Sequence, residues 1–386
     1  MPPPSGPVRL TVHAGPTRPV PLPGKLTALL RSAQVTETDT ERSVFTLSFD
    51  ASGRDPAAAD DVPSLRSGPL TCGSRVSLVL SFGAASTVLA DGFVTEADLA
   101  LPDHPGGPAM LNVTAEDPSF LLDLEERDVP YPNQSDYGQV VDILRRYADR
   151  GITAQVSQPD ADSQESASQR LPSQHDTDLR HLVMLARRHD FACYMIPGPD
   201  PGTSACYWGR PVRAGQPQPA VSVDLGSDTN VEGPLSFRTS ALAQIQVQGA
   251  VKEPRSGGTA PFSALTTRRE PLAALPLSAL RTAMPRTRRE RLSGPDSAAA
   301  RGRAQARLDR SIDGVTGTGT LDGARYRAVL RPRALVGVRG AGWAHDGLWY
   351  VKQVVHDLTP GSYRQSFTIT REGFGSTVQT VRVVPA

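Results

Sequence analysis

Lysine is almost missing: Lys25, Lys252 and Lys352 are the only three in 386 residues, and arginine supplies the remaining cations. With 41 basic and 40 acidic side chains the formal charge is +1, so no global field asks for nucleic acid or an anionic membrane. Cysteine is equally sparse. Cys72, Cys193 and Cys206 are odd in number and lack CxxC spacing, which fits a reducing cytosol better than a disulfide framework. A Cys193–Cys206 pair is the one alternative. No run approaches the ~18 apolar residues of a membrane span, and Met1-Pro2-Pro3-Pro4-Ser5 has neither part of a secretory signal. The expectation is a cytoplasmic protein with no membrane partner. Also missing are GxSxG, GxxxxGK[ST], HExxH and GxGxxG, which removes the common routes to a hydrolase elbow, a P-loop, a zincin or a dinucleotide site.

What is present is an ordinary globular composition, 38% hydrophobic with 34 Gly and 35 Pro, long enough for two or three domains rich in turns. From Arg9 to about Asp117 the apolar period is two. Phe45, Leu47 and Phe49 alternate with polar residues, as do Val76, Leu78, Leu80 and Phe82, then Leu111, Val113 and Ala115; each set is one face of a half-buried strand. The period changes after Tyr131. Val140, Ile143, Leu144 and Tyr147 form a helical stripe between Ser135 or Asp136 as cap and Gly151 as stop, and Leu179, Leu182, Val183 and Ala186 form a second, capped by Asp176 or Thr177. Strand character returns at 191–196, 220–225 and 243–248, the last two expected to begin a second barrel. The Arg- and Pro-rich stretch 253–295 reads as an inserted loop. Ala300, Ala304, Leu308 and Ile312 mark a helix over 297–312, and closing strands follow near 335–338, 348–358 and 363–371. Thr359-Pro360-Gly361-Ser362 has the residues of a type II turn.

The two β-rich halves echo each other. Asp91-Gly92-Phe93 opens a hairpin whose return strand ends Val113-Thr114-Ala115-Glu116, and Asp346-Gly347-Leu348 opens one whose return strand ends Ile369-Thr370-Arg371-Glu372. The spacing from glycine to glutamate is nearly the same, which predicts a structural duplication.

Candidate chemistry is thin. His175, His181 and His189 share a helical region with Asp176, Asp178 and Asp190, but their spacing gives no compact tetrahedral set, and an acidic helix start is the simpler reading. Glu37, Asp39 and Glu41, and Asp123, Glu125, Glu126 and Asp128, sit in polar contexts that read as solvated surface. No catalytic residue, cofactor or metal is assigned. Residues 281–310 hold nine arginines against Glu290, Asp296 and Asp309, with no aromatic residue for base stacking. Arg286, Arg288 and Arg289 are therefore candidates for contact with an acidic protein partner or a neighbouring subunit. Val381 and Val383, alternating around Arg382 in a β-prone tail, are candidates for adding to a partner's sheet edge.

The stretch 171–194, with Gln174, Thr177, Asp178, Leu182, Leu185 and Ala186, resembles the Q-x-x-T-D-x-x-F-L-x-x-L-A-x-x-x-G helix of VgrG and phage late-control D proteins; His181 replaces the usual Phe and Asp190 the usual Gly. The ending, 347–358 and 363–376, resembles the closing hairpin of the same family, as do Asp91-Gly92 with its strand and the helix before Gly314-Val315-Thr316-Gly317. Coverage is nearly the whole chain. This family forms the baseplate hub of contractile tails in phages, including T-even phages, and in injection systems. The resemblance implies a homotrimer whose chains each carry two tube-like barrels, so that a sixfold inner tube meets a threefold spike. Only Thr377 to Ala386 follow the hairpin, where VgrG continues into a needle, so the spike is expected as a separate protein.

The expected fold is thus β-rich α+β: a first tube-like antiparallel β-barrel over 1–120, a small α/β insertion over 121–219, a second barrel over 220–375 carrying the loop and helix, and a tail over 376–386. The expected function is a non-enzymatic hub in an injection particle or virion tail baseplate. Its expected partners are the inner tube protein, a separate spike, and baseplate wedge or LysM-type adaptor proteins, with no nucleic acid. Two other classes stay open: a cell-wall glycan-active tail enzyme using a carboxylate pair such as Glu116 and Asp117, and a β-rich attachment module.

Overall fold

Period-two alternation dominates the chain, and antiparallel ladders dominate the fold. The computed structural model describes residues 8–16, 18–52, 68–102, 104, 107–159, 172–252, 257–280, 283–293 and 297–377. The first half contains β1 (Val8–Gly15), β2 (Val20–Pro21), the short helix α1 (Gly24–Leu29), β3 (Leu30–Thr38), β4 (Val44–Asp50), β5 (Arg75–Phe82), β6 (Ala85–Ala100) and β7 (Met110–Glu116). Their inner faces bury Phe45, Leu47, Phe49, Val76, Leu78, Leu80, Leu111 and Val113 in one cluster, so the sheet rolls around its own core. Among the described residues no ladder joins β1 or β2 back to β3; the roll is not closed by hydrogen bonds.

The insertion follows a 3-10 turn (Pro118–Asp123), with β8 (Glu126–Pro130), α2 (Asp136–Arg145), β9 (Ile152–Val156), β10 (Ser173–Thr177), α3 (Asp178–Arg188), β11 (Ala192–Pro197) and β12 (Ser204–Gly209). Ser135 caps α2 by accepting from Gly138 N, and Thr177 caps α3 by accepting from Arg180 N. The apolar stripes of both helices meet Met195, Cys206 and Trp208 of the sheet β11-β12-β9.

The second half contains β13 (Gln218–Ser222), β14 (Val231–Thr239), β15 (Ile245–Lys252), β16 (Thr259–Ala264), β17 (Ala273–Pro276), β18 (Arg286–Ser293), α4 (Ser297–Arg310), β19 (Val315–Asp322), α5 (Gly323–Tyr326), β20 (Leu335–Arg339), β21 (Gly347–Thr359), β22 (Ser362–Arg371) and β23 (Gly373–Ser376). The stretch expected as a loop is instead built. β16, β15 and β18 form a three-stranded sheet, and α4 packs Ala300, Ala304 and Leu308 on Val247, Val251 and Phe262. Of the two strands expected to begin the second barrel, β13 lies in the main sheet and β15 belongs to this side unit. The sheet is hidden in the sequence because β18 is so rich in arginine that no apolar alternation survives.

The two halves share one topology. In space the first runs β1-β5-β6-β7-β4-β3, and the second runs β13-β20-β21-β22-β19-β14. Counting only these six strands of each half by appearance, both orders are 1-4-5-6-3-2. They also share an irregularity: the β6–β7 ladder skips one residue between Val94 and Glu96, and the β21–β22 ladder skips one between Val351 and Gln353. A bulge re-aims a strand and is a specific feature rather than a random defect. The equivalence has one exception, since β1 pairs β5 antiparallel whereas β13 pairs β20 parallel.

Aligning the bulges makes Val94 equivalent to Val351 and Ala115 to Ile369. The Asp-Gly and Glu echoes in the sequence are therefore two residues out of register with the structural repeat. Asp91 and Gly92 also do not form a turn. They lie inside β6, where the missing Cβ of Gly92 lets the carbonyl of Glu116 approach. The Gly361 turn is as expected, with φ +80°.

Candidate functional site

The halves join where β3 pairs β21, with Ala33 opposite Leu358 and Thr38 opposite Gln353. Strand alternation sends Ala33, Val35 and Glu37 to the same inward face as their cross-strand partners Leu358, His356 and Val354. A carboxylate and an imidazole thereby occupy core positions. Glu37, read from sequence as solvated surface, is 3% exposed. It accepts both oxygens' worth of contact from Arg331 at 3.1 Å and one bond from His356 Nε2 at 3.2 Å. Burial alone would raise its pKa, but Arg331 and the His356 hydrogen bond hold it at about 2. Burial lowers the pKa of His356, so a neutral imidazole donates to Glu37 and accepts from Tyr363 Oη at 2.9 Å. Arg331 spans the join by also donating to the carbonyls of Leu89 and Val88. The signal that could have found this group was phase: Glu37 and His356 keep step with apolar neighbours.

A second buried cluster ties the insertion to the first sheet. Asp91, fully enclosed, accepts from Arg75 Nη2 at 2.6 Å, Ser77 Oγ at 2.6 Å, Ser204 Oγ at 2.7 Å and Gly202 N at 3.1 Å. Arg75 also donates to the carbonyl of Arg150 at 2.6 Å. The second half reaches the insertion through Arg333, whose guanidinium lies 4.0 Å over the Tyr194 ring. Beside it, a cleft of about 530 Å³ is lined by Thr87, Tyr194, Ile196 and Arg331 among others.

The Gln174–Asp178 motif is structural. Asp178 accepts from Gln174 Nε2 and Tyr147 Oη at 2.8 Å and from Arg146, welding β10 and α3 to α2. His181 is buried against Gln139 at 3.0 Å, and His189 meets Asp136 at 2.9 Å. Cys193 and Cys206 are free thiols. Among the described residues no group of three His, Cys, Asp or Glu side chains could hold a metal ion. Asp117, with its pKa raised by burial, accepts from Ser43 N and Ser119 N, while Glu116 pairs with Arg42 at 2.5 Å. Both carboxylates of the enzyme alternative are thus committed to holding the chain.

Arg286, Arg288 and Arg289 stand exposed on β18, one of the two outer strands of its sheet. Ladder partners place Arg286 and Arg288 on the α4 side with Ile245 and Val247, and Arg289 on the opposite face. Val381 and Val383 lie outside the described residues.

No protein-family model matches this sequence, and no curated protein does. Solved structures do. The chain is similar to the tail protein from Neisseria meningitidis at 12% identity, with 96% of this chain and 98% of that one covered and a TM-score of 0.62. It is similar to the 43 kDa tail protein of prophage MuSo2 from Shewanella oneidensis at 15% identity, 94% and 98% coverage and TM-score 0.61. A third match is a component of the type VI secretion system of E. coli, itself described as similar to bacteriophage T4 tail proteins: 12% identity, 90% and 76% coverage, TM-score 0.53. At these identities the likeness is one of fold, and it runs the length of the chain.

Proposed function

We propose that this protein is a structural hub of a contractile tail or injection-system baseplate, acting as a homotrimer that joins a sixfold inner tube to a threefold spike. The observation that carries the reading is the repeated strand order with its matched bulge. One chain offers two quasi-equivalent modules, within 1–120 and 220–375, so three chains offer six similar faces to a tube and three identical ones to a spike. The end-to-end fold likeness to tail proteins supports the same class. The α/β units over 121–219 and around β15–α4 hang outside the repeat and are the natural contacts for wedge or LysM-type proteins. Arg286, Arg288 and Arg289 would face an acidic partner there, and Val381 and Val383 would contact the spike. The particle, rather than the free chain, is the working location.

Native mass measurement of the purified chain, alone and with its co-expressed spike, tests this. Three chain masses are expected in at least one of the two; a monomer in both overturns the reading.

A further inference from the structure

The repeat carries a residue-level consequence for the trimer, and the step below rests on that trimeric reading. Within one chain, β21 is flanked on one side by β22 and on the other by β20 and then, past its bulge, by β3. Its equivalent, β6, is flanked by β7 and by β5, but past its own bulge nothing among the described residues pairs with its free side from Glu96 to Ala100. The equivalent of β3 is β14, which among the described residues pairs only β19, on one side. The exposures agree: Ala97 and Leu99 are only half-buried and Leu101 is exposed, whereas their equivalents on β21, Val354, His356 and Leu358, are buried. Each chain thus holds one filled module-to-module joint, β21 with β3, and the two halves of an unfilled copy of it, β6 and β14.

We infer that the occupant of both free edges is a second copy of this chain, with β6 of one protomer pairing antiparallel with β14 of the next in the register of the internal joint. The register follows from the ladders. The bulges set Asp98 equivalent to Val355 and Leu99 to His356. On the other strand, Val35 opposes Phe45, which opposes Ala115, and Phe237 opposes Gly317, which opposes Ile369; Phe237 is therefore equivalent to Val35 and Arg238 to Thr36. Inside the chain Val35 faces His356 and Thr36 faces Val355. Between chains, Phe237 then faces Leu99 and Arg238 faces Asp98.

Both pairings are complementary. Leu99 packs against the first core and Phe237 against the second, so their meeting would continue one apolar layer across the boundary. Asp98 and Arg238 are exposed, on the outward phase, with opposite charge. Cross-strand apolar and opposite-charge pairs stabilise antiparallel sheets, and like charges directly opposite oppose them. A head-to-tail contact of this kind closes into a ring when its rotation repeats, and the same joint already operates once inside every chain.

Charge reversal tests it. Asp98→Arg and Arg238→Asp each place like charges at every boundary and should weaken the oligomer at least tenfold, read as the midpoint concentration of dissociation by mass photometry. The double variant restores the pair and should recover most of that loss. Both sites are exposed, and unchanged Trp349 fluorescence checks the fold. Independently, Asp98→Cys with Arg238→Cys in a Cys72→Ser background should give a covalent ladder ending at three chains under oxidation. A wild-type trimer that neither reversal weakens, with no cross-linking, overturns this register and leaves the hub reading standing. A wild type that stays monomeric even with its spike overturns both.

Discussion

Replacing Glu37 with glutamine probes the joint between the halves most sharply. The substitution keeps the shape and an oxygen for His356 Nε2–H to donate to, but removes the charge opposite Arg331. The magnitude can be worked in two ways. The carboxyl is held at about 2 against an ordinary 4.5, and at ~1.4 kcal/mol per pKa unit this contributes about 3 kcal/mol at neutral pH. Breaking a buried pair by removing one partner costs ~3–5 kcal/mol, and since Arg331 is 27% exposed the lower end applies. Both routes give about 3 kcal/mol. The sign is set by a depressed acid: its stabilisation is complete above pH ~4.5 and disappears as pH falls towards 2. Urea unfolding followed by Trp349, enclosed in the adjoining core, should show the variant about 3 kcal/mol weaker at pH 7 and the gap closing steadily below pH 4.5. A gap under 1 kcal/mol at pH 7, or one that does not narrow by pH 3, would refute the argument.

Asp91→Asn should leave Arg75 buried without its counter-charge, costing about 3–5 kcal/mol, and hydrogen exchange should show early loss of protection at Gly202 and Ser204, whose N–H and hydroxyl it accepts from. Gly92→Ala puts a methyl into the carbonyl of Glu116; a loss of about 2 kcal/mol or more in thermal unfolding is expected, and a neutral result would mean the β6–β7 ladder is not as described. The hydrogen bond with Cys193, and then burial, raise the Cys206 thiol well above its usual range, so iodoacetamide at pH 7 should label exposed Cys72 and leave Cys206 unmodified in peptide mass mapping.

How much of this was legible beforehand depended on phase. β4, β5 and β7 alternate cleanly and were readable, as were both capped helices of the insertion, because burial on one face writes itself as a period. β18 was not, since its strand is stabilised by pairing with β15 and cover from α4 rather than by its own apolar residues. Glu37 and His356 were missed for a related reason: a buried ionic group needs Arg331, nearly three hundred residues along the chain from Glu37, and no local window contains both. The duplication was visible as Asp-Gly and Glu repeats, but those residues play unlike parts. Asp91 anchors a buried cluster, whereas Asp346 accepts from Ala341 N in a turn. The true correspondence lies in ladder order and bulge position, which only pairing reveals.

The central claim is that two like modules per chain build a ring of six. Cryo-electron microscopy of the assembled oligomer measures this directly. The account predicts three chains around an axial channel, with successive modules related by about a sixth of a turn and β6 running beside the neighbour's β14. A ring with any other number of chains, or one whose two modules sit at unlike radii, would contradict it.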